Sequence, residues 1–449
     1  MGNLEFILDK ISEVLWGNYL IYVLLGIGIF FTVLTKGIQI KGFPYAVKEL
    51  VKSLKGKNNI KGVGTLSSFQ ALCTALSSCV GNGNIVGVAT AIASGGPGAV
   101  FWMWVAGIVG MATKYAEIVL GIIYREKSDD GTYVGGPMYY LSKGLKFKKL
   151  AFIFALLMFL QICGGALIQS NAVAIVMNDI FNIKPIFSGI MTSTVIFLIV
   201  VGGVRRLGKV TEKLLPFMTS IYFLGGLIVI FFNINHLPYV IMNIISCAFR
   251  TEAVGGGILG YGIKEAIRFG VARGLYSNEA GEGSAPVLHS AAITDHPARQ
   301  GLYGLLEVFI DTVVICSLTS FIVLTSGVYN EDISPAVYVI TAFGNIHIIF
   351  KYLIGISMVL FAFSTVLSQW YFGNVTLTYM FNSRVANNFK YVFFFLAIFG
   401  SLSSLKIVWL IQDVVLGLLI MPNLMALLLL SSKVKEATED FFIKIKGEQ

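Results

Sequence analysis

Apolar residues in this chain gather into eleven blocks, most of them about as long as a helix needs to be to cross a bilayer. The blocks, labelled a to k, cover 17–36, 66–93, 98–123, 150–177, 185–203, 214–234, 237–272, 301–327, 346–373, 389–406 and 407–430. A helix rises 1.5 Å per residue, so roughly twenty residues cross a hydrocarbon core of about 30 Å. Only 13% of the 449 residues are charged and 56% are hydrophobic, whereas a soluble domain carries about one quarter charged residues. A soluble core able to bury so much apolar surface exceeds one domain, and the short alternating runs of such a core are missing. The reading is an all-α polytopic membrane protein with about eleven transmembrane helices.

The formal net charge of +9 does not point to nucleic acid, because the basic residues fall in alternate connections between blocks. Lys36, Lys41, Lys48, Lys52, Lys55, Lys57 and Lys61 lie between a and b, and Arg125, Lys127, Lys143, Lys146, Lys148 and Lys149 between c and d. Further basic residues follow e (Arg205, Arg206, Lys209, Lys213), i (Arg384, Lys390) and k (Lys433, Lys435, Lys444, Lys446). The intervening connections are nearly free of Lys and Arg. The positive-inside rule then predicts a multi-pass protein of the cell membrane with its N-terminus outside and its C-terminus in the cytoplasm. Membrane lipid surrounds it, and no nucleic-acid partner is expected. All five cysteines lie within blocks, so neither disulfides nor a metal-type cysteine spacing is expected. No cleavable signal peptide is evident, since the first residues are acidic and polar.

Block b carries "SSCVGNGNIVG", Ser77 to Gly87, at its centre. Gly81 and Gly83 weaken the helix there, and Ser77, Ser78, Asn82 and Asn84 offer the backbone other hydrogen bonds. An unwound middle is predicted, and at that depth it survives only inside protein or beside a wet cavity. Small-residue helix packing is the rival explanation, but it does not require two asparagines. Block g repeats the pattern with "RTEAVGGG", dividing at Gly255 to Gly257. Blocks b to f therefore precede g to k in reversed orientation, each set opening with an interrupted helix, as in inverted-repeat secondary transporters. The organisation reads as an extra N-terminal helix with its basic connection (1–65), a first repeat (66–236), a second repeat (237–432) and a cytoplasmic tail (433–449). The half-helix starting near Asn82 offers free N–H groups to a carboxylate, and the half ending near Ser77 offers carbonyls to a cation. One unwound stretch can hold both ends of a zwitterion.

"GGPGAVFWMWVAGIVG", Gly95 to Gly110, and "GVARGLYSNEAGEGSAP", Gly270 to Pro286, resemble signatures of the sodium-coupled alanine/glycine symporter family. That family belongs to the amino acid, polyamine and organocation superfamily, whose ten-helix core is a five-plus-five inverted repeat like that of the leucine-type transporters. The resemblance implies sodium symport of alanine or glycine by alternating access, without a cofactor beyond the coupling ion. It also implies that amides around Gly81, Asn82 and Gly83 receive the substrate carboxylate and that the Cys79 carbonyl faces its ammonium. Carbonyls of Ser77 and Val80 then face sodium, and the Ser364–Thr365 pair on the eighth core helix, block i, completes that site. Hydroxyls bonding back to the preceding turn are the bland alternative for this pair.

Asp311, an acid inside block h, is a functional candidate by its position: a second cation site with Asn84, a proton relay, or half of a buried ion pair. Gln169 on block d, with Asn171 nearby, is a candidate donor to the substrate carboxylate, with ordinary interhelical hydrogen bonding as the alternative. Phe249 and Thr251 precede the second break and Gly255 lies within it, so all three are expected to line the pocket. Trp370 reads as a gate or a belt residue, and Lys114 with Glu117 as an interfacial pair on one helix face. His289, Asp295 and His296, beside Glu279 and Glu282, suggest a metal or catalytic cluster, but they lack HExxH spacing and fall in an expected cytoplasmic connection, so they read as a solvated loop or a gate contact. "GVRRLGKV", Gly203 to Val210, nearly spells a phosphate-binding loop, but Val210 stands where Ser or Thr is needed and a helix precedes it. An ATP-driven pump is thereby excluded. No enzyme is expected, since no second paired acid lies deep in a neighbouring block. A passive amino-acid or cation channel is the closer rival to a symporter.

Overall fold

The computed structural model describes residues 2–16, 18–55, 62–249, 262–403 and 406–447. Among these, eight helices are long and apolar enough to cross a membrane, and a ninth span is a helix pair bent by 53°. Numbered along the chain, α1 is Gly2–Leu15, α2 Asn18–Leu34 and α3 Phe43–Leu54. The bent pair is α4 (Ser68–Cys79) and α5 (Val88–Gly95), followed by α6 (Gly98–Ile123). Next come α7 (Lys148–Phe181), α8 (Pro185–Val200) and α9 (Gly203–Phe232). The second half contains α10 (Leu237–Ala248), α11 (Ile263–Asn278), α12 (Ala285–His289) and α13 (Pro297–Ser326). Helices α14 (Ile348–Met380), α15 (Ser383–Leu402), α16 (Lys406–Leu429) and α17 (Ser431–Gly447) complete the chain.

Helix starts follow local chemistry. Ser67 caps α4 in a reciprocal box: its hydroxyl accepts from Gln70 N at 3.1 Å, and the Gln70 carboxamide accepts from Ser67 N at 3.1 Å. Proline stands in the first turn of α8, α10 and α13, where its missing N–H costs nothing. Burial then sorts the spans. The most apolar windows of α6 and α13 are 83% and 72% buried, whereas the other straight spans bury only 33–44%. These two helices form the bundle's interior, and the rest turn large apolar residues such as Phe217, Phe231, Phe395 and Phe399 outward.

Block g behaves differently from the expectation. Its apolar part, α10, ends at Ala248, and the expected break at Gly255 to Gly257 lies outside the described residues. The chain resumes as α11, which runs against α6 so closely that a Cβ on Gly270 would overlap the Ala99 carbonyl oxygen. Helix α11 ends at Asn278, and the backbone turns through left-handed conformations at Glu279, Gly281 and Gly283 (φ 53°, 95° and 88°) before α12 begins. An interruption therefore lies in "NEAGEGS", a stretch expected to be a cytoplasmic connection. Lys264, Glu265, Arg268 and Arg273 make α11 too polar for a hydropathy window to register it as membrane-buried.

Candidate site where two broken helices cross

The first break is built as its residues suggest. After Cys79 the backbone becomes extended at Val80 (φ −75°, ψ 95°), and a π-helical turn, Gly83–Gly87, leads into α5. The Asn84 side chain supplies what the helix has lost: its Oδ1 accepts from Gly81 N at 2.9 Å. Its Nδ2 donates to Asp311 Oδ1 at 2.6 Å. Asp311 is fully buried and accepts further bonds from Ser277 Oγ (3.0 Å) and Thr312 Oγ1 (2.8 Å). Among the described residues it has no ion pair with Lys or Arg, so helices α5, α11 and α13 meet around a carboxylate held by hydroxyl and amide groups.

The second break faces the first. Gly83 packs against Tyr276 and Ser277, the Cys79 thiol lies 3.9 Å from Asn278 O, and Ser78 Oγ donates to Glu279 Oε2 at 3.3 Å. Between them lies a cavity of about 60 Å³, lined by Gly81, Gly83 and Cys79 on one side and Tyr276, Glu279 and Glu282 on the other. Gln169 and Thr365 also face it. Asn82 Nδ2 donates to Gln169 Oε1 at 3.5 Å, which ties the first break to α7.

Helix α14 lies along the end of α4. Ser364 Oγ approaches the Ser77 carbonyl at 3.3 Å, and one turn on, Ser368 Oγ donates to the Thr74 carbonyl at 3.1 Å. Thr365 Oγ1 donates to its own Phe361 O at 3.1 Å and faces Gly81, where an added Cβ would come within 2.8 Å of it. Val80 is fully buried beside them. Ser77, Val80, Ser364 and Thr365 are thus gathered at one place, and oxygen donors of this kind suit a hard cation.

Other expectations change. Phe249 is 53% exposed and packs on Phe101 and Trp102, away from the cavity, because α10 lies outside the crossing. Thr251 and Gly255 fall outside the described residues. Asn171 turns to α15, donating to Ser403 O at 3.0 Å. Trp370 is buried well inside α14, so it is no belt residue.

Lys114 pairs across helices with Glu307 at 2.9 Å, not with Glu117, and both partners are sequestered from solvent. Its ammonium also donates to Asn278 O at 2.7 Å, at the C-terminal end of α11, where free carbonyls attract a cation. Glu307 further contacts His289 Nε2 (3.0 Å) and accepts from the Cys79 thiol (3.2 Å), so His289 is a buried member of this network. Glu117 Oε1 instead accepts from Gly283 N (2.9 Å) and Asn423 Nδ2 (2.6 Å), bracing the turn of the second break. Sequence reading named these residues but put Glu279, Glu282 and His289 in a cytoplasmic connection and paired Lys114 with Glu117. The available signal was "EAGEG", acids interleaved with glycines much as asparagines are in "GNGN".

Comparisons with known proteins agree with this architecture. A family model described as the sodium:alanine symporter family matches residues 1–449. An uncharacterised transporter of Bacillus subtilis, YflA, is 41% identical over 98% of this chain and 94% of its own length. The sodium/alanine symporter AgcS of Methanococcus maripaludis is 38% identical, covering 97% and 96% of the two chains. A probable sodium/glutamine symporter of Bacillus subtilis, GlnT, is 34% identical over 98% of this chain and 91% of its own. Among solved structures, MhsT in complex with L-phenylalanine superposes with a TM-score of 0.62 at 14% identity, over 84% of this chain and 92% of that one. At that identity the likeness speaks for the fold, the leucine-transporter architecture with its paired interrupted helices. A multi-pass bundle with two broken helices meeting at a buried polar cavity, matched end to end by one family model, places this chain in the sodium:alanine symporter family.

Proposed function

We propose that this secondary transporter imports small neutral amino acids, alanine or glycine, together with sodium by alternating access. The carrying observation is the cavity between the breaks at Val80–Asn82 and Glu279–Gly283, lined by Cys79, Gly81 and Gly83 of the first and by Glu279 and Glu282 of the second. In this reading Asn82 and Gly83 receive the substrate carboxylate with Gln169, the Gly81 amide being already taken by Asn84 Oδ1, and Cys79 contributes its carbonyl to the ammonium. Ser77, Val80, Ser364 and Thr365 hold sodium, and Asn84 with Asp311 forms a second cation site. Sodium bridging α4 to α14 stabilises the conformation in which the amino-acid site is formed, so the ion gradient drives uptake. A volume near 60 Å³ holds only a few waters at roughly 10–15 Å³ each, which favours alanine or glycine over glutamine, the substrate in GlnT's name. The protein sits in the cell membrane with its basic connections in the cytoplasm and needs no cofactor other than its coupling ion.

Uptake of labelled alanine by purified protein in liposomes tests this. Accumulation should saturate, require an inward sodium gradient and be competed by glycine more strongly than by glutamine. Uptake unchanged when choline replaces sodium refutes sodium coupling, and uptake that never saturates favours the passive channel.

A further inference from the structure

Beyond the transport site, the basic face of the bundle carries a second built pocket of about 610 Å³, between the end of α2, helix α3 and the C-terminal helix α17. Lys36, Lys41 and Lys435 converge on it, with Tyr45, Phe442 and Ile443 forming an apolar side. Glu439 is the one carboxylate among its lining residues, and it is 3.5 Å from Lys36. Lys41 and Lys435 make no ion pair among the described residues. Three ammonium groups against one carboxylate leave the pocket with a positive excess.

Its depth is set by the helices around it. Helix α2 ends at Leu34, and Lys36 and Gly37 turn the chain sharply through left-handed conformations (φ 55° and 77°). On the other side, Thr438 of α17 is hydrogen-bonded at 2.9 Å to Tyr115 of α6. Tyr115 lies about two turns, roughly 12 Å, before the end of α6, so α17 packs alongside the last turns of a membrane-spanning helix. Ile443 is 69% exposed at the rim. A positive pocket with an apolar lip beside the end of a spanning helix matches an amphiphile better than a free anion, since only the former uses both features.

We infer that this pocket binds the headgroup of an anionic phospholipid, its phosphodiester among Lys36, Lys41 and Lys435 and an acyl chain along Leu34, Phe442 and Ile443. The headgroup then joins α2 and α3 to α17. Helix α17 itself grips the inner end of the transport bundle, through His296 on Asp440 at 3.0 Å and Arg299 over the Phe441 ring at 5.5 Å.

Native mass spectrometry of the delipidated full-length protein in a neutral detergent tests the assignment. Wild type should bind phosphatidylglycerol in preference to phosphatidylcholine, and phosphatidylglycerol should raise its melting midpoint. K36A/K41A/K435A should weaken phosphatidylglycerol binding on the order of tenfold to a hundredfold and lose the thermal shift. K48A/K148A/K149A, which removes as many charges from the basic connections outside the pocket, should keep both. Should the first triple variant misfold, K435A alone must still reduce the preference. Retention of the wild-type preference by both pocket variants overturns the inference, as does equal loss in the control. Full displacement of the lipid by millimolar inorganic phosphate also overturns it, by marking a free-anion site.

Discussion

Replacing Lys114 by methionine removes the ammonium from a fully buried pair while keeping a side chain of similar length. Glu307, 1% exposed, is then left with His289 and the Cys79 thiol as neighbours, and Asn278 O loses a donor 2.7 Å away. Stripping one partner from a buried ion pair costs about 3–5 kcal/mol, because the remaining charge is neither solvated nor paired. The orphaned carbonyl adds about 1–3 kcal/mol when wholly uncompensated, but part of that overlaps with the first figure. We therefore expect K114M to lose about 3–5 kcal/mol of stability, a factor of a hundred or more in the folded population. In K114M/E307Q the charge is gone while an acceptor for Cys79 and His289 remains, so the double variant should recover about 2 kcal/mol or more. A double-mutant cycle measured by denaturation in mixed detergent micelles reads this directly. The coupling should also be nearly independent of ionic strength when choline chloride is the added salt, since the pair is sequestered from solvent. Single-variant losses below about 1 kcal/mol, or losses that simply add, would refute the claim that this pair ties the two breaks together.

Removing both hydroxyls with S364A/T365A should raise the sodium concentration for half-maximal uptake about tenfold or more, with the order of competing amino acids unchanged. A change in selectivity without a change in sodium requirement counts against the assigned cation site. G270V should destabilise the bundle by about 1–3 kcal/mol, because its side chain would collide with the Ala99 carbonyl that α11 now approaches; an unchanged melting midpoint would contradict that packing. On the C-terminal helix α17, the Asp440 carboxyl is held below its ordinary value, chiefly by the hydrogen bond from Lys444 and then by that from His296. Because the native value is depressed, its contribution is present above the unfolded carboxylate value near 3.9 and is lost as pH falls through the native one. In a carboxyl-labelled NMR titration, K444A should move the Asp440 midpoint upward more than H296A does.

The order and length of the spans were legible in the sequence because transfer to lipid is nearly a sum over consecutive residues, and so was the first break, where "VGNGN" both weakens the helix and brings asparagine as a substitute partner. Asn84 closing on Gly81 is local chemistry of that kind. The interruption in "NEAGEGS" was not foreseen because α11 carries four charged side chains yet packs its glycines on α6, a compensation that no window of neighbouring residues contains. Phe249 was assigned to the pocket because the helix was expected to break just after it, whereas its ring packs on Phe101 and Trp102. Lys114 shows the limit most clearly: the nearest acid along the chain is Glu117, but its partner is Glu307, nearly two hundred residues away. Sequence alone thus determined which stretches enter the membrane and where one of them fails as a helix. Tertiary structure decided which buried charge meets which, because in a low-dielectric interior each such group is settled by whatever opposite charge or dipole packing brings within about 3 Å, however distant in the chain.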